Sequence, residues 1–514
     1  MPAYTNQQPL FTGVRMGKLE LPNRIVMAPL TRMRAANFGN APTELHAEYY
    51  AQRASAGLII GECTEISRDA YGWADTPGLW SAAQVKGWRR VTDAVHKRGG
   101  LMYAQLWHTG AMSHPDFFDG AVPMSASDVN PVQESVTPSG RKPTVAPRPM
   151  TKDEIRRTVS DFGTAAKNAM EAGFDGVQIQ ANYLYLIAQF LNSATNLRKD
   201  EYGGSIVNRA RFLFEITETV LQYVEPGRVG IKVGPMNLSG PFVANKDTLP
   251  GMEYVIKRLN DYDLAHLLLM GATTDFTGSP LEDLTGDGMF QHFRPLYHGH
   301  LIANVDMTQE RGNRLIEAGL ADSIAFGRPY IANPDLPERF LVGAPLNDVS
   351  WPTVYANGPE GYTNYPTLNE HTLATQKYGN PMSQTKQEQN KALVLKAFDT
   401  LFNKRDYEAA ERYWSPNYIQ HSAHIEPSRE GLFNLIKGIP ATLKYEAGTI
   451  VADGDFVIVH GRFSGFGSPV NWIAADILRI EHGILVEHWD VIQDEATKEQ
   501  SKSGNPMFGA SFPK

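Results

Sequence analysis

Three side chains able to hold an oxygen or move a proton stand close together at Gln180, Tyr183 and Tyr185, within the stretch Asp175–Arg211. A phenol is a weak, directional acid that keeps its proton at neutral pH, and an amide donates without carrying charge. Such a set can hydrogen-bond a bound molecule and move a proton. A second set stands near the other end of the chain. His488 and Asp490 alternate along one apolar run and so share a face of a strand, with Asp476 on the run before it. A His–Asp pair in an apolar pocket can relay a proton; hydrogen-bonded structural groups are the alternative. His421, His424 and His460 lie in the same region. Cys63 ends an apolar run, as a small buried side chain or a thiol facing a site. His108 and His114 flank Trp107 without the further ligands a metal needs, so no metal site is expected.

These residues need rigid elements behind them. Eight short apolar runs, at 24–30, 57–63, 100–106, 176–180, 229–233, 266–270, 300–304 and 323–327, alternate with amphipathic stretches such as Lys152–Ala172, Asn208–Val224 and Thr308–Ala318. That count and order predict a (β/α)8 barrel. An open dinucleotide-binding sheet would show a Gly-rich turn after its first strand, whereas TRMRAANFG follows here. In a barrel the chemistry sits where strands end and loops begin, which is where Gln180, Tyr183 and Tyr185 fall. Composition changes near Asn369. A polar stretch, 369–387, reads as a linker between a barrel at 1–368 and an α+β domain at 388–514. The latter opens with amphipathic helices and continues with alternating strands punctuated by the turns DGD and EHG.

The chain has 514 residues and a formal net charge of −8, which argues against nucleic-acid binding through a basic face. One cysteine excludes an intrachain disulfide and fits a reducing, cytoplasmic setting. The N-terminus does not read as a signal peptide, and no apolar run is long enough to span a bilayer. The expected partner is therefore a small molecule.

NRIVMAPLTRMRA (23–35), AQLWHTGAMSH (104–114), DEYGGSIVNRARF (200–212) and ADSIAFGRPYIANPDLPERF (321–340) stand in collinear order. Together they resemble the old yellow enzyme family, flavin-dependent ene-reductases on a TIM barrel, over residues 8–368. The resemblance implies FMN as cofactor and NAD(P)H as hydride source, with reduction of an alkene conjugated to a carbonyl. It implies that Pro29, Thr31, Cys63, Gln105 and Lys232 lie around the flavin ring. Gly327 and Arg328 would lie at the phosphate, Trp107 and Tyr355 along the substrate pocket, and Tyr185 would be the proton donor. The sequence also departs from the family pattern. Gln180 and Tyr183 stand where histidine and asparagine or histidine grip the substrate oxygen, with Asn182 able to substitute in part. Lys232 stands for an arginine, and Val305 with Asp306 occupies a glycine-containing phosphate loop. Thr31, Gln105, Trp107 and Arg328 favour a site that still holds FMN. Gln180, Lys232, Val305 and Asp306 favour a non-redox cyclase or isomerase that has lost it.

In the second domain, NYIQHSAHIEPSREGL (417–432), ADGDFVIVHGRFSG (452–465), ADILRIEHGILVEHWDVIQ (475–493) and GNPMF (504–508) resemble the polyketide-cyclase-like (SnoaL-like) proteins of the nuclear-transport-factor-2-like fold. The resemblance implies a cone-shaped sheet around one apolar pocket. His488, Asp476 and Asp490 are its candidate catalytic groups and His421 a candidate substrate contact. It also implies a cyclase, an isomerase or merely a homodimer-forming role, in a protein that tailors a secondary metabolite.

Overall fold

The computed structural model describes residues 8–182, 184–235, 240–368 and 386–513. Chain contacts divide it into two units, Met1–Glu370 and His371–Lys514, each with its own core. Of the expected linker, residues 369–385 lie outside the described residues, and the helix Lys386–Phe398 already begins within the remainder.

In the first unit eight parallel strands close into a barrel. They are β1 (Ile25–Met27), β2 (Leu58–Glu65), β3 (Met102–Trp107), β4 (Gly176–Gln180), β5 (Val229–Val233), β6 (His266–Met270), β7 (Leu301–Asn304) and β8 (Ser323–Phe326). Each coincides with one of the eight apolar runs, and their order around the barrel is their order in the chain, as right-handed strand–helix–strand crossovers require. Side chains alternate across each strand. Met102, Ala104 and Leu106 of β3 pack outward in the large core beneath the helices. Tyr103, Gln105 and Trp107 fall on the opposite, inward face, as do Gln178 and Gln180 of β4 and Lys232 of β5. The hairpin Val14–Met16 / Leu19–Leu21 packs Met16, Leu19 and Leu21 against Val26, Leu58 and Tyr103, closing the N-terminal end. Its turn needs glycine: Gly17 has φ 55°, and a Cβ there would lie 2.1 Å from the Gly227 carbonyl oxygen. The helix Lys152–Glu171 starts on a capping box, Thr151 N–H donating to the Glu154 carboxylate at 2.9 Å and Glu154 N–H to Thr151 Oγ1 at 3.2 Å.

The second unit is a five-stranded sheet covered on one face by the helices Lys386–Phe398 and Ser428–Gly438. Its strands are β9 (Trp414–Gln420), β10 (Lys444–Asp453), β11 (Phe456–Ser464), β12 (Trp472–Glu481) and β13 (Ile484–Asp494), in the order β9-β13-β12-β11-β10. β10 to β13 form an antiparallel meander, and β9 joins β13 in parallel. Both expected turns adopt positive φ, at Gly454 (54°) and at His482 and Gly483 (50° and 77°). The other face of the sheet leaves Ile419, Val451, Phe456, Ile458 and Val491 exposed.

Candidate functional site

Inside the barrel and toward its C-terminal end, β2 to β6 bring polar side chains together. Cys63 and Gln105 are ladder partners, and a register shift between Ile60 and Cys63 accompanies their pairing. Cys63 Sγ donates to Gln105 Oε1 at 3.0 Å, Gln105 Nε2 to Gln178 Oε1 at 2.6 Å, and Gln178 Nε2 meets His266 Nε2 at 2.8 Å. Burial pushes the Cys63 thiol up to about 12 and holds His266 down at about 3, so both are neutral at physiological pH. The Thr31 hydroxyl, on the half-buried segment that follows β1 through Pro29, bonds to Cys63. Lys232 is buried beside this group, and burial lowers its ammonium to about 8. Among the described residues no carboxylate pairs with it. A buried cation without a counter-charge is a standing cost unless an anionic or electron-rich group completes the site.

Next to this cluster Gln180 Oε1 accepts the Asn182 N–H at 3.0 Å, which leaves the Gln180 NH2 as the group able to donate to a ligand. Among the described residues, Asn182 Oδ1 and Trp107 Nε1 are buried without a partner. Trp107 meets Tyr185 edge-on, ring centroids 4.9 Å apart at 86°. Tyr185, which leads into the helix Leu186–Leu191, lines a cavity of about 580 Å³ with Trp73, Met112 and Leu184. Tyr355 reaches this cavity only indirectly: it is exposed and its ring lies 6.0 Å from that of Trp73. Tyr183 lies outside the described residues.

The loop after β7 carries Val305 at φ 85° and Asp306 at φ 50°. The backbone thus keeps a conformation suited to glycine while carrying a β-branched residue, an arrangement that stores strain. Arg311 Nη1 holds both carbonyls at 3.2 Å. Gly327 precedes the short helix Arg328–Ala332, and Arg328 Nη1 lies 4.0 Å from Asp306 Oδ1 with both side chains well exposed.

In the second unit, a cavity of about 70 Å³ is walled by Phe398, Trp414, Phe466 and Trp472 and reached by Asp476, His488 and Asp490. Ligand atoms of these three lie within 4.8 Å of one another. His488 Nε2 is 3.1 Å from Asp476 Oδ1, and its Nδ1 is 2.8 Å from Gln420 Oε1, so both ring nitrogens are committed. The expectation for His421 is corrected. It does not line the cavity but turns to the far face of β13, bonded to Glu487 at 2.9 Å and stacked on Trp489. His424, over Trp472, lines the cavity instead. Sequence reasoning also passed over Gln178, His266 and Gln420. The alternation Gln178–Gln180 on β4 was a usable signal for the first, since two amides on one inward face of a barrel strand need partners. Nothing in sequence spacing pairs Gln420 with His488.

The sequence profile of the NADH:flavin oxidoreductase / NADH oxidase family matches residues 9–347, and that of the SnoaL-like domain matches residues 394–488. Putative 12-oxophytodienoate reductase 4 of Oryza sativa subsp. japonica is 39% identical over 374 residues, covering 70% of this chain and 94% of its own. 12-oxophytodienoate reductase 2 of Arabidopsis thaliana is 37% identical over 367 residues, covering 70% and 96%. Among solved structures, the old yellow enzyme homologue from Zymomonas mobilis is 42% identical with a TM-score of 0.65, over 70% of this chain and 99% of that one. Morphinone reductase in complex with tetrahydroNAD is 40% identical with a TM-score of 0.65, over 70% and 97%.

Proposed function

The chain belongs to the NADH:flavin oxidoreductase / NADH oxidase family, the old yellow enzymes, and from that premise we propose that its barrel binds FMN and uses NAD(P)H to reduce the alkene of a conjugated carbonyl intermediate in small-molecule biosynthesis. The observation that carries this is Lys232, a buried ammonium without a carboxylate partner among the described residues, grouped with Thr31, Cys63 and Gln105. These residues fit a flavin ring: a cation for its electron-rich edge, and a hydroxyl and an amide for its polar rim. Gly327 and Arg328 would hold the phosphate. When bound, FMN supplies a hydride to the β-carbon of the alkene.

The chain's own residues do the rest. Gln180, whose carbonyl oxygen is already engaged, presents its NH2 to the substrate oxygen together with Tyr183, and so draws electrons from the alkene. Tyr185, held edge-on to Trp107, gives the α-carbon its proton from a phenol. Trp107 walls the pocket, and the cavity beyond Tyr185 admits a substrate of several rings. Residues 1–368 form the reductase, 369–387 the linker and 388–514 a separate domain that holds or processes the product. The single cysteine supports a cytoplasmic setting. The exposed apolar side chains Val451, Phe456, Ile458 and Val491 on the outer face of the second sheet support a homodimer through that face.

The test is direct. Purified protein should carry flavin absorbance and consume NADPH with 2-cyclohexenone under anaerobic conditions. A colourless protein that neither binds added FMN nor oxidises NADPH refutes the proposal. The second reading, a cyclase or isomerase without FMN, draws on the strained Val305 and on Asp306 beside Arg328; it gains if FMN fails to bind while a carbonyl substrate is still converted.

A further inference from the structure

One level of the barrel interior carries a hydrogen-bonding side chain on each of β2, β3, β4 and β6, and none on β5. Along the ladders Cys63 pairs with Gln105, Gln105 with Gln178, Gln178 with Gly230 and Gly230 with His266. A Cβ at Gly230 would stand 2.2 Å from the His266 ring, so the missing side chain is what lets His266 reach past β5 to Gln178. The resulting chain of bonds has a direction. Cys63 Sγ donates to Gln105 Oε1, Gln105 Nε2 to Gln178 Oε1, and Gln178 Nε2 to His266 Nε2. Each amide shows its oxygen to one neighbour and its nitrogen to the next. Turning one over sets two N–H groups or two oxygens against each other and forces the other to turn as well. Two settings are therefore self-consistent. In the observed one Nε2 of His266 accepts, and the hydrogen of the neutral ring sits on Nδ1. In the reverse one Nε2 donates and both glutamines are turned over. The observed setting leaves Gln105 one N–H and one oxygen lone pair beyond its bonds to Cys63 and Gln178.

We propose that His266 is a positioning residue for the flavin site: by accepting at Nε2 it sets the direction of this chain and so fixes which side of the Gln105 amide faces the flavin. The proposal rests on the reading of the barrel as an FMN site. The pyrimidine edge of a flavin carries an N–H beside carbonyl oxygens. An amide with one lone pair and one N–H to spare meets such an edge with two matched bonds, whereas the same amide turned over opposes donor to donor and acceptor to acceptor. A freely rotating amide would have to be ordered when the flavin arrives; one held by a buried chain is set beforehand. His266 acts through Gln178, which stands between it and Gln105. Its ring is itself held, fully buried against Gly230 with its centroid 5.6 Å from that of Tyr103. The setting is thus carried by a tautomer: moving the ring hydrogen from Nδ1 to Nε2 is the change at this end of the chain that reverses it. Among the described residues Nδ1 has no partner, so the bond to Gln178 is the one that selects the tautomer.

The experiment uses the full chain labelled with 15N-histidine, with and without FMN. In the wild type, NMR of the His266 ring nitrogens should show hydrogen at Nδ1 in both states. His266→Phe keeps a ring over Gly230 and removes the acceptor. It should raise the Kd for FMN about tenfold, and it should speed solvent exchange of the flavin N3–H, read with 15N-labelled FMN. His266→Gln, which can set a carbonyl oxygen where Nε2 stands, should bring the Kd back to within about threefold of wild type. In a Gln178→Met background, His266→Phe should have no further effect on FMN binding, a coupling that a ring serving only as packing would not show. Hydrogen at Nε2 in the FMN-loaded wild type overturns the proposal and leaves the flavin reading intact. So does wild-type Kd and N3–H exchange in His266→Phe. An equal loss in the Phe and Gln variants that persists in the Gln178→Met background reduces His266 to packing and overturns it as well. A wild type that binds no FMN overturns the flavin reading, and this proposal with it.

Discussion

Replacing Lys232 by methionine should make the flavin-free protein more stable while weakening its grip on flavin. Burial lowers the ammonium from an ordinary 10.5 to about 8. The unfolded chain therefore binds more protons than the folded chain between those values, and stability must rise with pH through that window. Below pH 8 the full penalty is present; at 1.36 kcal/mol per pH unit the gap corresponds to about 3 kcal/mol. Methionine keeps most of the buried stem and removes the charge, so at pH 7 the variant should gain up to about 3 kcal/mol, less whatever packing it disturbs. The assay is urea unfolding of flavin-free protein at pH 7 and pH 10, followed by the fluorescence of the buried barrel tryptophans Trp88 and Trp107. Other groups titrate in the same range, so the informative quantity is the wild-type curve minus the variant curve. That difference should shrink as pH rises from 8 to 10.5. A variant no more stable at pH 7, or a difference that does not change with pH, refutes the claim that a buried, unpaired cation sits there. FMN added to the same two proteins completes the argument: the variant should bind it more weakly and lower its reduction potential, because the cation no longer faces the reduced ring.

Further outcomes follow from the same geometry. Tyr185→Phe should slow alkene reduction about a hundredfold and leave flavin reduction by NADPH unchanged, measured by stopped flow in separate half-reactions. Asp306→Asn should tighten FMN about fivefold at low salt, since a carboxylate 4.0 Å from Arg328 competes for a solvated cation, an effect of about 1 kcal/mol that fades above a few hundred millimolar salt; equal Kd values by calorimetry would count against it. Val305→Gly removes strain of about 1–2 kcal/mol and costs about 0.5–1 kcal/mol in chain entropy, so the urea midpoint should hold or rise slightly rather than fall. Ile458→Lys should dissociate a homodimer in sedimentation equilibrium if the outer sheet face is the interface.

The barrel was legible because its signal is repeated. Eight apolar runs at regular spacing with amphipathic helices between them leave few alternatives, and strand ends were displaced only slightly. β2 was the exception. It continues through Thr64 to Glu65 past a register shift; both are polar yet buried, and a hydrophobicity pattern cannot see a carboxyl such as Glu65 whose partner, Thr76, comes from another segment. Strand alternation made the shared face of His488, Asp490 and Asp476 legible, and Gln180 was legible from its place at a strand end, whereas Gln105 was expected from the family resemblance alone. The candidate site was not legible where a side chain is chosen by a distant partner. Gln105 is held by Gln178 and, through it, by His266, and His421 is drawn to the outer face by Glu487 and Trp489. At Val305 the family's glycine pointed to a close backbone approach, but the positive φ itself depends on Arg311, whose hold on the Val305 and Asp306 carbonyls no sequence pattern displays.

The parallel pairing of β9 with β13 has a consequence for how the second domain comes into being. β13 is the last strand in the chain, yet it sits between β9 and β12. Until it docks, β9 has no neighbour and β12 presents an open edge, the condition under which unfinished chains capture one another. The meander β10 to β12 can zip up through short hairpins, but β13 must close a loop back to β9, with His488 finding Gln420 across 68 residues. During synthesis this can happen only after β13 itself, Ile484–Asp494, has left the ribosome. The domain is therefore expected to be the slow step in maturation and the point at which a chaperone is most useful. A chain cut before Ile484 would lack His488 and Asp490 from its second pocket and be prone to aggregate.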